Sequence, residues 1–172
     1  MEPRYEDTVI EALENSYGEF PDRPGLAACL LETAKVIVED NLGDYYTELR
    51  GVKAGSLLEE LDDLSTETWF KGLVENSVAF IMLTRCGIDP MDYFSGEDFA
   101  HVYDFDTPET LSILGGAVSD IAEMPLREIA TTVLSLCRAE QRENRTFAQT
   151  PNRPYHDSRT KQERSIEHGT DI

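Results

Sequence analysis

Apolar residues recur every three or four positions along most of this chain, and that spacing constrains the fold more than any other feature. Tyr5, Val9 and Leu13 set the pattern, and Leu26, Leu30, Val36 and Ile37 continue it. It returns in Trp69, Leu73, Phe80 and Leu83, then in Leu111, Leu114 and Val118, and finally in Ile129, Val133, Leu136 and Cys137. Such a period places side chains on one face of an α-helix, whereas a half-buried strand would alternate. No βαβ alternation and no internal repeat is visible. With 172 residues, 40% of them hydrophobic, the chain can bury one real core. The expectation is a mainly α protein, a compact multi-helix domain over residues 1–145 followed by a disordered polar tail over 146–172. The tail holds few large apolar side chains and cannot bury enough surface to order itself.

Breakers divide the pattern. A first helix is expected over 4–16, then a turn-rich break from Tyr17 to Gly25. A second helix runs from Pro24 to Asp40, with Asn41-Leu42-Gly43 as its stop. Residues 44–55 are ambiguous, because Gly51 and Gly55 interrupt a stretch that Tyr45, Tyr46 and Leu49 would make helical. Ser56 caps a helical turn through Leu64, with Glu59 at the capping-box position. Leu57, Leu58, Leu61 and Leu64 anchor that turn. Ser65 caps a long helix from Thr66 to Cys86, with Gly87 at its end. Asp89-Pro90 opens a short helix to Phe94, and 95–106 form a compact connector. Thr107-Pro108-Glu109 is a strong helix start. Gly115-Gly116 allows close packing, and Pro125 breaks or kinks the helix ahead of a last one over Leu126–Glu143.

Charge narrows the function. The 34 acidic and 15 basic residues leave a net charge of −19. Residues 1–137 hold 28 acidic and 8 basic residues, a net of −20, whereas 138–172 hold 6 and 7. A field of that size repels nucleic acids and anionic membranes and attracts basic surfaces, above all the nucleic-acid channels of other proteins. No apolar run approaches the length of a bilayer span. The opening Met1-Glu2-Pro3-Arg4 lacks the basic start and apolar block of a secretory signal, so a cytoplasmic location is expected. Cys29, Cys86 and Cys137 are too widely spaced for a zinc or redox motif and read as free thiols.

Catalytic motifs are missing. There is no HExxH, no G-x-S-x-G, no phosphate-binding loop and no dinucleotide fingerprint. Of the three histidines, only His101 precedes the tail; Glu97, Asp98, His101 and Asp104 compose a conceivable metal set that reads more simply as a surface histidine among carboxylates. No catalytic residue, metal or cofactor is assigned. The remaining candidates are two rows of carboxylates, Glu59, Glu60, Asp62, Asp63 and Glu67 in one and Asp104, Asp106 and Glu109 in the other. On rigid helices such rows approximate the charge spacing of B-DNA, one negative charge per roughly 1.7 Å.

The strings Ser77-Val78-Ala79-Phe80-Ile81-Met82-Leu83-Thr84-Arg85-Cys86-Gly87-Ile88-Asp89 and Tyr93-Phe94, with Tyr103-Asp104-Phe105-Asp106-Thr107-Pro108-Glu109-Thr110 and Ser119-Asp120-Ile121-Ala122, carry a resemblance. Over about a third of the chain they resemble a helical module of large polyvalent proteins from Firmicutes conjugative elements and phages, often described as antirestriction proteins. The same pattern is similar to the C-terminal helices of a zinc metallopeptidase domain of mobile elements. There a glutamate precedes the Ser-Val-Ala-Tyr helix; here Asn76 stands in its place and the HExxH helix is missing. The resemblance implies a remnant without its metal site, repurposed for binding.

Such elements also encode small acidic anti-CRISPR proteins. Charge and resemblance together lead to an expected anti-defence protein, not an enzyme, that binds a Cas9-type effector with its guide RNA through Glu59, Glu60, Asp62, Asp63, Glu67, Asp104, Asp106 and Glu109. The alternative is a catalytically dead, peptidase-derived interaction module of a conjugative element. Direct DNA binding is not expected, although the basic tail residues leave some nucleic-acid contact open, and the oligomeric state, a homodimer included, is open as well.

Overall fold

A computed structural model describes residues 1–20 and 25–148. Four α-helices make the body: α1 (Glu6–Tyr17), α2 (Leu26–Val52), α3 (Asp63–Cys86) and α4 (Pro108–Ala148). Short 3₁₀ segments at Pro3–Tyr5, Leu57–Glu60, Pro90–Asp92 and Gly96–Asp104 join or precede them. The described residues contain no strand. No helix among them is long and apolar enough to cross a membrane.

Helix α2 packs against both α3 and α4, α3 packs against α4, and α1 lies on α2 and α4. Val9 and Leu13 of α1, Leu30, Ile37 and Leu49 of α2, Phe70 and Met82 of α3, and Ile121 of α4 are all at most 1% exposed. Burying a side chain of that size contributes about 1.5–3 kcal/mol. The buried hydroxyls are satisfied by nearby backbone carbonyls: Thr33 donates to Cys29 O at 2.8 Å, Thr66 to Asp62 O at 2.9 Å and Ser56 to Lys53 O at 2.7 Å.

The helix stop expected at Asn41-Leu42-Gly43 does not occur. Helix α2 runs through it and through the ambiguous residues as far as Val52. Leu42 and Leu49 are buried, and the potential breakers cooperate with the helix: Asn41 donates to Ile37 O, and Thr47 to Gly43 O. A mid-helix glycine costs only about 1 kcal/mol, less than either leucine contributes by burial. The chain turns instead at Gly55, where φ is +85°.

Pro125 does not break α4 either, since a single helix covers both expected pieces and continues to Ala148. Pro125 is buried, flanked by the buried Ile121, Ala122 and Ile129. Their burial along one side offsets the backbone bond that proline cannot donate. The close packing expected at Gly115-Gly116 does not depend on glycine: a Cβ on Gly116 would lie an ordinary 4.0 Å from the Tyr45 ring, and one on Gly115 would meet nothing within 4 Å. Tyr45 crosses that point and donates to Asp120 Oδ2 at 2.7 Å. That bond is the main reason its phenol is pushed up to about 12.

At the end of α3, Gly87 has φ +80°; its N–H donates to Thr84 O, and that of Ile88 to Leu83 O. This Schellman arrangement is the C-terminal signal read from the sequence. The compact connector is also present, as the 3₁₀ segment Gly96–Asp104. It is pinned to α3 by Asn76, which donates to Asp98 O at 2.9 Å, and by a stack of Trp69 on His101 with centroids 3.8 Å apart. The tail expected from residue 146 lies outside the described residues beyond Ala148, as does the part of the first break at 21–24.

Candidate acidic interface

The two carboxylate rows, separated by some forty residues of sequence, meet at one end of the bundle. Asp106 Oδ1 accepts from the Leu57 N–H at 3.0 Å, joining the segment before α4 to the turn before α3. Beneath this junction the rings of Phe70 and Phe105 lie 5.9 Å apart, both buried. The core therefore holds both rows in place.

Local structure then takes up several of the eight carboxylates. Ser56 caps the Leu57–Glu60 turn as expected, its Oγ accepting from Leu58 N at 3.2 Å. Glu59, however, does not close a capping box on Ser56; it reaches one residue further back and accepts from Gly55 N at 2.7 Å. The cap of α3 is Asp62 rather than Ser65, so the helix begins at Asp63. Asp62 Oδ1 accepts from Ser65 N at 2.7 Å, and Ser65 Oγ donates to Asp62 Oδ2 at 3.2 Å. The bond from the Ser65 N–H, more than any other influence, holds the Asp62 carboxyl below its ordinary value of 3.8. Aspartate is the better cap because its charge also meets the positive end of the helix dipole.

Asp63 is neutralised from α2. Arg50 Nη2 lies 2.9 Å and Lys53 Nζ 3.4 Å from its carboxylate oxygens. Lys53 also donates to Leu61 O at 2.9 Å, and the Tyr46 hydroxyl donates to Asp63 O at 2.6 Å. Asp104 faces His101, with Nδ1 at 3.0 Å. Glu60, Glu67 and Glu109 are exposed and make no hydrogen bond or ion pair among the described residues.

The four leucines expected to anchor the first row divide. Leu58 is fully buried and Leu61 half-buried, but Leu57 is 58% and Leu64 75% exposed. A 3₁₀ turn eclipses residues three apart, and α3 begins at once after it, so no single face can bury all four. Tyr103, beside Asp104, is 80% exposed. Arg50, Lys53 and Tyr46 as positioners of Asp63 could not be read from spacing, because they lie within the stretch where the sequence pattern is ambiguous.

No three His, Cys, Asp or Glu side chains among the described residues are gathered to hold a metal ion. Within the set considered above, Asp98 accepts from Ser95 N at 2.7 Å and is held low by that bond. Cys29 and Cys86 are buried free thiols, and Cys137 is half-buried. Burial pushes Cys29 up to about 11 and raises Cys86 as well. Compared with family models, with curated proteins and with solved structures, the chain matches none.

Proposed function

We propose that this chain is an anti-defence inhibitor that binds a basic nucleic-acid-binding surface on a Cas9-type effector and blocks DNA binding or cleavage. The observation that carries the reading is the acidic end. Glu60, Glu67 and Glu109 are exposed and unpaired on capped segments, and the bond that the Leu57 N–H donates to the Asp106 carboxylate joins the two rows. Rigid placement matters because the capped backbone that carries these carboxylates is already ordered and loses little loop entropy on docking. The surrounding net charge of −20 over residues 1–137 steers that end toward cationic surfaces. Exposed Leu57, Leu64 and Tyr103 supply the apolar contacts that charge alone lacks.

The test is cleavage of target DNA by a guide-loaded Cas9-type effector, with and without the protein, at two salt concentrations. Inhibition that weakens as salt rises is the expected result. Converting Glu60, Glu67 and Glu109 together to lysine should abolish it without unfolding the body. Glu59 and Asp62 are poorer probes because reversing either also removes a backbone cap. Undiminished cleavage by several effectors in the presence of the protein sinks the proposal.

A second reading, an interaction module derived from a peptidase and without catalysis, is favoured by Asn76. Its amide is engaged in tying α3 to the 3₁₀ segment through Asp98 O. This reading expects binding to another protein of the same mobile element and no effect on nuclease activity.

A further inference from the structure

Helix α4 serves two surfaces along its length. From Leu111 to Val133 it lines, with Ile81 and Arg85 of α3, an apolar groove of about 1060 Å³. Beyond Val133 that lining ends, and the helix runs on to Ala148. There Arg138, Gln141, Arg142 and Arg145 are all exposed. At 100° per residue Arg142 lies about 40° to one side of Arg138, Arg145 about 20° and Gln141 about 60° to the other. The three arginines therefore form one row, roughly 10 Å long at 1.5 Å per residue.

Carboxylates are turned away from that row. Glu140 lies roughly 160° and Glu143 roughly 140° from Arg138 around the axis. Glu140 is fixed on its own side by the chain around α1: the Tyr5 hydroxyl donates to its Oε2 at 3.0 Å, and Arg4 Nη1 lies 3.1 Å from its Oε1. The row accordingly faces away from α1. Elsewhere on the body cations are matched with carboxylates, and Arg4, Lys35, Arg50, Lys53, Lys71 and Arg127 each pair with one. Arg138 and Arg145 make no such pair among the described residues.

The chemistry of the row identifies its partner. The side chains of Arg138, Gln141, Arg142 and Arg145 enclose a recess of about 140 Å³. Pockets that take a whole small molecule run to roughly 300–1,000 Å³, so this one suits a single group of a longer ligand. The planar guanidinium fork matches phosphate oxygens, and glutamine adds an amide donor. A nucleic-acid strand rises about 3.4 Å per phosphate, so about three phosphates pass over the length of the row. The negative field of the acidic end does not reach this far. Glu109 lies roughly 43 Å from Arg138 along α4, about five Debye lengths at physiological salt. We infer that the end of α4 is a contact for the phosphate backbone of a single-stranded nucleic acid, with Arg138, Arg142 and Arg145 meeting successive phosphates. Such a contact requires nothing of the acidic end, and an oligonucleotide tests it with no effector present.

The test is binding of the full chain to a short, fluorescently labelled single-stranded RNA, followed by anisotropy as salt is raised. Three phosphate contacts predict a loss of about tenfold in affinity between about 50 and 150 mM salt. The variant Arg138→Gln/Arg145→Gln should bind more weakly at low salt and lose only about twofold over the same range, since one contact remains. Its circular dichroism should match wild type, because glutamine forms helix about as well as arginine and both positions are exposed.

Absence of binding at low salt overturns the inference. So does a double variant that binds as wild type does, which would place the contact outside this row. A polyglutamate peptide that displaces the labelled RNA as well as unlabelled RNA does overturns the assignment to phosphate. The row would then take any acidic chain, the acidic end of a second copy included.

Discussion

The acidic end and the α4 groove are the two surfaces of this molecule that the fold leaves over, and they differ in how they relate to the sequence. The acidic end is conspicuous in the sequence and much reduced in the structure. Of eight candidate carboxylates, Glu59, Asp62 and Asp106 accept backbone N–H groups, Asp63 is paired with Arg50 and Lys53, and Asp104 faces His101. The groove carries little charge and attracts no notice in a charge count, yet part of its apolar lining stays open: Leu111 is exposed, and Val118, Leu126 and Val133 are half-buried. The number of charged groups is thus a poor measure of available charge, whereas apolar periodicity beyond what one core needs measures available surface well.

The comparison can be broken most severely at Phe70, which lies under the acidic end against Phe105. Phe70→Ala should cost about 3–5 kcal/mol in chemical denaturation. If the acidic end were held by its caps alone, the loss would be much smaller. Next in size is Gly87→Ala at the groove end of α3. With φ at +80° and the new Cβ only 3.1 Å from Met1 N, it should cost about 1–2 kcal/mol in the same assay.

A smaller effect concerns pH. The Asp62 carboxyl is held low in the folded state, so its stabilisation is present above the ordinary value of 3.8 and is lost as pH falls through the depressed folded value. Glu75 acts in the opposite sense: burial raises it, so its ionised form is disfavoured by folding and that penalty is relieved as pH falls. Melting curves for wild type and Asp62→Asn should therefore differ at neutral pH and converge in acid. Parallel curves would show that the Asp62 charge contributes nothing beyond its hydrogen bonds.

Least of all should the fold respond at the exposed groove edge. Leu111→Gln, at a position 52% exposed, should leave the stability of the monomer within about 0.5 kcal/mol.

Much of the fold was legible where the signal is local. The start at Thr107-Pro108, the end at Gly87, the helix opening at Asp89-Pro90 (found as the 3₁₀ segment Pro90–Asp92, short of the expected Phe94) and the cap at Ser56 all rest on backbone groups within a few residues of the side chain that satisfies them. The candidate site was legible as a list of carboxylates but not as a surface. Whether an aspartate caps a helix depends on where that helix begins, and α3 begins at Asp63 rather than at Thr66. Leu57 and Leu64 likewise sit at plausible core spacing, yet the 3₁₀ turn between them rotates both outward.

The sequence by itself determined the helical class, because a 3.6-residue apolar period can bury its face in no other regular structure. It also determined the strongly negative body and the places where the backbone must reverse or start anew. Only the tertiary structure decided which breakers would be overridden, which carboxylates would remain free, and which apolar side chains of α4 would stay partly uncovered. The physical reason is one of magnitude and range. Inside a helix an asparagine costs about 0.7 kcal/mol, a glycine about 1 and a proline about 3, and each acts locally. The burial of Leu42, Leu49, Ile121 and Ile129 against distant helices is at least as large in sum, and it depends on partners that no local stretch of sequence contains.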